Sequence, residues 1–236
     1  MSLRTITNTL VKEIESLNFS VPVAYTYNPL VYARQPFNDY IDRYGQGKKE
    51  IVLVGMNPGP WGMAQTGIPF GEVSHVKEWL NIKGRVDVPE VTHPKRPILG
   101  FSCKRNEVSG KRLWGWAQET FKTPEIFFKQ FFVLNYCPLA FFDENSKNIT
   151  PDKLKAKDRT KLFEACNKAL AETVKILKPQ YVLGIGNFAE ARVNEACEDL
   201  NVATGKITHP SPANPKANRG WAPLIESELR QLGLEF

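Results

Sequence analysis

Cysteine, histidine and methionine are scarce in this chain: four, three and three in 236 residues. Cys103, Cys137, Cys166 and Cys197 stand far apart, and no C-x-x-C pair occurs. That spacing argues against a zinc site or an iron–sulfur cluster, whose ligands come in closer pairs. Reduced, mostly buried thiols are expected instead. No apolar run approaches the roughly 20 residues needed to cross a bilayer, so no membrane partner is expected. The opening Met1-Ser2-Leu3-Arg4 leads into polar residues rather than the apolar stretch of a signal peptide. The expected location is the cytoplasm, at the nucleoid in a bacterium or the nucleus in a eukaryote. Internal repeats, low-complexity tracts and linkers are also missing, and residues 1–236 read as one domain.

What is present is an ordinary globular composition, 42% hydrophobic and 24% charged. Lysine and arginine outnumber acids 31 to 25, for a net charge of +6. The excess is uneven. Residues 95–112 hold six basic side chains and one acid, Glu107, and residues 206–219 hold three basic side chains and no acid. Two solvated loops or a face that follows a phosphate backbone would both give this pattern.

Leu3, Ile6, Leu10, Ile14 and Leu17 recur at helical spacing and predict a helix ending before Val21-Pro22. Apolar or β-branched runs at 51–55, 131–134 and 181–185 predict buried strands of a parallel sheet; a short fourth strand is placed at 206–208. Helical patterns fill the intervals at 72–80, 112–121, 151–177, 188–200 and 222–232. Strands alternating with helices predict a three-layer α/β/α sandwich around a central, mainly parallel four-stranded sheet.

Each strand runs into a polar loop: Asn57 after the first, Asn135 after the second, Asn187 after the third and His209 after the fourth. Ligands of open parallel sheets bind outside the carboxyl ends of the strands, so these four are expected at one crevice. Gly184-Ile185-Gly186-Asn187-Phe188-Ala189 fits a loose dinucleotide-binding pattern. The following strand ends in His209 rather than in an acid that could hold a ribose, which weighs against a nicotinamide or flavin.

Three stretches go further. Residues 55–73, GMNPGPWGMAQTGIPFGEV, closely resemble the first motif of the single-strand-selective monofunctional uracil-DNA glycosylases. Residues 209–221, HPSPANPKANRGW, are similar to that family's second motif and DNA-penetrating loop, and Asn135-Tyr136-Cys137-Pro138-Leu139 matches a segment between them. Trp61 stands where several members carry Phe, and Ala213 where they carry a basic residue.

The resemblance implies a hydrolase that flips uracil and oxidised uracils such as 5-hydroxymethyluracil out of single- or double-stranded DNA. It would cleave the N-glycosidic bond and leave an abasic site, as a monomer, with neither metal nor cofactor. It implies that Asn57 positions the attacking water and that His209 stabilises the charge growing on uracil O2. Asn135 would read N3–H and O4, a pairing that cytosine reverses. Phe70 would stack on the ring, and Met56 would line the pocket. Gly59, where related uracil glycosylases carry a Tyr that blocks C5 substituents, would with Met63 leave room at C5 for an ordered water. Pro210, Ser211, Pro212, Asn214, Lys216, Asn218 and Arg219 would meet DNA. Two other readings stay open: a glycosylase of the same fold tuned to deaminated purines such as xanthine, and a non-catalytic single-stranded-DNA-binding protein.

Overall fold

The computed structural model describes residues 1–234. In chain order the elements are α1 (Leu3–Glu15), β1 (Tyr25–Tyr27), α2 (Pro29–Tyr32), α3 (Arg34–Tyr44), β2 (Ile51–Gly55), α4 (Met63–Thr66) and α5 (Val73–Glu78). Then come α6 (Val108–Phe121), α7 (Pro124–Gln130), β3 (Phe131–Asn135), β4 (Ala140–Phe142) and β5 (Asn148–Ile149). The chain continues with α8 (Ala156–Leu177), β6 (Tyr181–Ile185), α9 (Asn187–Ala196), β7 (Ala203–Ile207), α10 (Pro215–Asn218) and α11 (Trp221–Gln231).

The central sheet has the order β3-β2-β6-β7 and every pairing in it is parallel. All five residues of β2 are buried, as an inner strand covered on both faces requires. Helices α1, α8 and α9 pack together on one side, while α6 with α7 and α11 form the other helical layer. This is the predicted α/β/α sandwich. Much of the second layer's core is aromatic: the Trp116 ring meets Phe121, Phe127, Phe131 and Trp221 edge to face, the geometry that the ring quadrupoles favour. That cluster anchors α6, whose opposite flank reaches the carboxyl end of the sheet.

A second, antiparallel sheet, β1-β4-β5, was not predicted. Its strands are two or three residues long, too short to display an alternating pattern. The region predicted as one helix over 151–177 is a 3₁₀ turn at Pro151–Lys153 followed by α8; Leu154 and Lys155 between them are extended, with ψ of 151° and 145°. The fourth strand lies at Ala203–Ile207 rather than 206–208. Thr208 leaves the ladder because its N–H and hydroxyl both donate to the Glu228 carboxylate, at 2.7 and 2.6 Å.

The Gly184–Ala189 turn serves packing. A Cβ on Gly184 would collide with the backbone of Ala189 and Glu190 in the first turn of α9, so β6 accepts that helix only because residue 184 has no side chain. Gly184→Ala therefore forces apart a strand and a helix that meet backbone to backbone. We expect a loss of about 1–3 kcal/mol in stability, read as a lower denaturant midpoint at unchanged slope.

Candidate active site

The polar residues at the ends of β2, β3 and β7 surround a cleft of about 390 Å³, a usual size for a small-molecule site. Tyr136 N–H donates to Gly55 O and Cys137 N–H to Met56 O, both at 2.9 Å, so the parallel pairing of β2 and β3 continues beyond the strands. Asn57 thereby lies beside the second loop and its Nδ2 donates to Leu139 O at 3.0 Å. A carbonyl can only accept, which fixes the amide: Oδ1 is the end left for a ligand or water.

Asn135, in register with Gly55, is fixed by similar logic. Its Nδ2 donates to Met63 Sδ at 3.2 Å. A thioether accepts but cannot donate, and a flipped amide would set oxygen against sulfur. The second hydrogen of Nδ2 and the Oδ1 lone pairs are what this side chain offers to a ligand.

Phe70 sits at φ 54°, an uncommon backbone conformation for a residue with a side chain. Its carbonyl holds it there, accepting from Trp114 Nε1 at 3.1 Å and from Glu72 N–H at 2.7 Å. The ring passes so close to Gly55 that a Cβ at that position would lie 2.6 Å from it. Gly55 is thus required by the ring that covers it.

The remaining wall is His209. Ser211 N–H donates to His209 Nδ1 at 3.0 Å, which makes Nδ1 the acceptor and leaves the proton on Nε2 in the neutral ring. Burial lowers its pKa to about 4, so the imidazole is uncharged at neutral pH. The preceding residue is clamped by Glu228 and by Trp221 Nε1, which donates to Thr208 O at 2.7 Å. Ring centroids of Phe70 and His209 are 6.2 Å apart.

Met56, Asn57, Gly59, Met63, Phe70, Asn135, His209 and Ser211 all line the cleft. Asn187 does not. It is exposed on the first turn of α9, and its Oδ1 accepts from Lys206 Nζ at 3.0 Å. Of the loop after His209, Pro212, Lys216 and Arg219 are exposed, whereas Pro210 is buried. The amides of Asn214 and Asn218 serve the loop itself: Asn214 Nδ2 donates to His209 O and Asn218 Nδ2 to Pro212 O. Arg112 braces the loop from α6, donating to Pro210 O and to Asn218 Oδ1, each at 2.9 Å.

The basic stretches are therefore not uniform phosphate-facing surfaces. Arg96 donates to Ser146 O, Arg105 lies 4.3 Å over the Trp61 ring, and Lys206 pairs with Glu190 at 3.1 Å. Lys95, Lys104 and Lys111 are exposed. The added bulk of Trp61 serves as a surface that two guanidinium groups cover.

Glu107, Ser109, Asn148 and Thr150 also line the cleft and were not predicted. Glu107 had left a trace as the one acid in a basic stretch; Asn148 and Thr150 belong to the unforeseen second sheet or its flank and left none.

An aromatic ring, amides of fixed orientation and a neutral imidazole donor line one cleft at the carboxyl end of a parallel sheet, an arrangement that can hold a planar heterocycle. The model of the uracil DNA glycosylase superfamily matches residues 43–226. The single-strand selective monofunctional uracil DNA glycosylase of Bos taurus is 46% identical over 94% of this chain and 82% of its own length. Its Rattus norvegicus counterpart is 46% identical over 94% and 81%. A crystal structure of Pedobacter heparinus SMUG2 superposes with a TM-score of 0.66 at 17% identity, covering 97% of both chains, which supports the fold. The chain belongs to the single-strand-selective monofunctional uracil-DNA glycosylase family.

The His209 geometry has a direct spectroscopic consequence. Of three histidines, His209 should titrate near pH 4 in an NMR titration and keep its proton on Nε2 above that. Since its folded pKa lies below the unfolded 6.5, the unfolded chain binds the extra proton as pH falls from about 6.5 to about 4. His209 thus lowers stability in that window and has no effect above it. A midpoint near 6.5 would show that the ring is solvated and its tautomer unfixed.

Proposed function

We propose that the cleft hydrolyses the N-glycosidic bond of uracil in DNA, with the base extruded into it and an abasic site left behind. The observation that carries this is the fixed polarity of Asn57 and His209, one presenting an acceptor and the other a donor. Asn57 Oδ1 accepts a hydrogen bond from water and aims its oxygen at the sugar carbon. His209 Nε2–H donates to uracil O2, where negative charge grows as the bond breaks. A neutral imidazole suffices because uracilate is a tolerable leaving group. Asn135 Oδ1 accepts from N3–H and its free Nδ2 hydrogen donates to O4, which rejects cytosine. Phe70 stacks on the ring; base–aromatic stacking is worth about 1–3 kcal/mol.

Gly59 sets no side chain of its own against C5, and 5-hydroxymethyluracil is a substrate beside uracil. At the surface, Lys216 and Arg219 face phosphates, and the proline-stiffened loop enters the strand to offset the few kcal/mol of unstacking. Single strands need no such wedge, and duplex DNA is a second, slower substrate. An amine nucleophile is not needed: the nearest lysine in sequence to His209, Lys206, is engaged by Asn187 and Glu190. The protein works as a monomer, without metal or cofactor.

The test is incubation with single-stranded oligonucleotides carrying uracil, 5-hydroxymethyluracil, xanthine or thymine, followed by alkaline cleavage. Strand breaks at the first two substrates are expected. Breaks at xanthine alone would favour the purine reading, and binding without breaks would leave a DNA-binding protein.

Two variants probe the parts. Asn57→Ala should slow single-turnover uracil excision by about 10²–10³-fold while oligonucleotide affinity is kept; a rate within twofold of wild type would remove Asn57 from the chemistry. Arg112→Gln loosens the brace on the loop. Excision from duplex DNA should fall about tenfold further than excision from single strands, as expected for loss of charged hydrogen bonds. An equal fall on both would place Arg112 outside wedge positioning.

A further inference from the structure

The gap at Gly59 has an occupant. An ideal Cβ on Gly59 would lie 2.5 Å from Glu107 Oε2 and 3.1 Å from Oε1, and one on Gly62 would lie 2.8 Å from Glu107 Cγ. The Glu107 side chain therefore crosses both glycines, and its carboxyl fills the space where a side chain at position 59 would stand. Glu107 also lines the cleft. Burial pushes its pKa up, partly countered by the Trp61 backbone N–H, and no ion pair supports it among the described residues. A half-buried carboxyl with no cation beside it is costly to desolvate, and such groups in clefts point to ligand chemistry.

Ring order locates what it faces. With O2 at His209 and N3–H and O4 at Asn135, C5 follows O4 round the ring on the side away from His209. The Asn135 Nδ2 end, which serves O4, is the end bonded to Met63. C5 therefore meets the wall made by Met63 and Gly59, with the Glu107 carboxyl behind it. This placement rests on the uracil reading above.

We propose that Glu107 is a specificity-determining residue that reads the substituent at C5: its carboxyl accepts a hydrogen bond from the hydroxyl of 5-hydroxymethyluracil. The same group discriminates against two other substituents. A thymine methyl displaces the water that would otherwise solvate the carboxyl and offers no donor in return. A 5-carboxylate brings a second negative charge against it, and like charges in a desolvated site disfavour binding.

The experiment compares single-turnover excision of uracil, 5-hydroxymethyluracil, 5-carboxyuracil and thymine from single-stranded oligonucleotides by the wild-type protein, Glu107→Met and Glu107→Gln. Methionine keeps the length of the side chain and removes the acceptor. It should lower the 5-hydroxymethyluracil-to-uracil rate ratio by about tenfold and raise the thymine-to-uracil ratio. Glutamine keeps an oxygen for the Trp61 N–H and removes the charge, and should raise the 5-carboxyuracil-to-uracil ratio. Glutamine also keeps the inference testable if the methionine variant does not fold. Ratios that stay within twofold of wild type, or an equal fall on every substrate, would overturn it and reduce Glu107 to a support for the Trp61 loop. A wild-type protein that leaves uracil intact would instead overturn the glycosylase reading itself.

Discussion

The register of β2 against β3 is the constraint on which the site depends. Gly55 lies opposite Asn135, and the pairing runs on through Tyr136 N–H to Gly55 O and Cys137 N–H to Met56 O. Those two bonds carry the second loop alongside the first until Leu139 O reaches Asn57. Slip the pairing by one residue and every side chain changes face: Asn135 would leave the cleft and Asn57 would lose the carbonyl that orients it. Phe70 depends on the same register, because its ring covers Gly55 at the point where Asn135 also crosses that residue.

Orientation within this frame is set by partners that can act in one sense only. Leu139 O accepts, Met63 Sδ accepts, and Ser211 N–H donates. Each therefore fixes which end of its partner turns to the cleft, without placing a charge there. An amide held by water could turn over at little energetic expense, since both its ends would find partners. Preorganised dipoles of this kind need not rearrange as charge develops, and a histidine that is already neutral keeps its proton while it donates.

The parallel sheet was legible because three of its four strands are continuous apolar runs of about five residues, and the polar residues after the strands marked the crevice. Asn57, Asn135 and His209 could be named from that alone, and the motif resemblance added Phe70, Gly59 and Met63. Asn187 misled because it also follows a strand. Gly186, at φ 89°, turns the chain there straight into α9, and the side chain goes outward to Lys206. Partners of a side chain were not legible at all. Nothing in the composition separates Arg112, which braces a loop, from Lys111, which is exposed. Glu107 escaped for the same reason: its place behind Gly59 and Gly62 is a meeting of residues some 45 positions apart that only the folded chain brings together.

Helix α6 links these parts. Gly110 and Trp114 are four residues apart and so share a face, and both address Phe70: a side chain at 110 would strike its carbonyl, and Trp114 Nε1 bonds that same oxygen. Arg112 points to the loop at 210–218, and Glu107, at the N-cap, closes the wall beside Gly59. On the far side Trp116 and Phe121 are locked among Phe127, Phe131 and Trp221. Aromatic packing of this density resists displacement. Phe70, the wall at Gly59 and the loop at 210–218 are therefore referred to one rigid element, and that element is itself tied to β3 through Phe131. A shift of α6 would move all three against Asn57 and Asn135 together. That arrangement explains why so much aromatic volume is invested in a helix that carries neither Asn57, Asn135 nor His209.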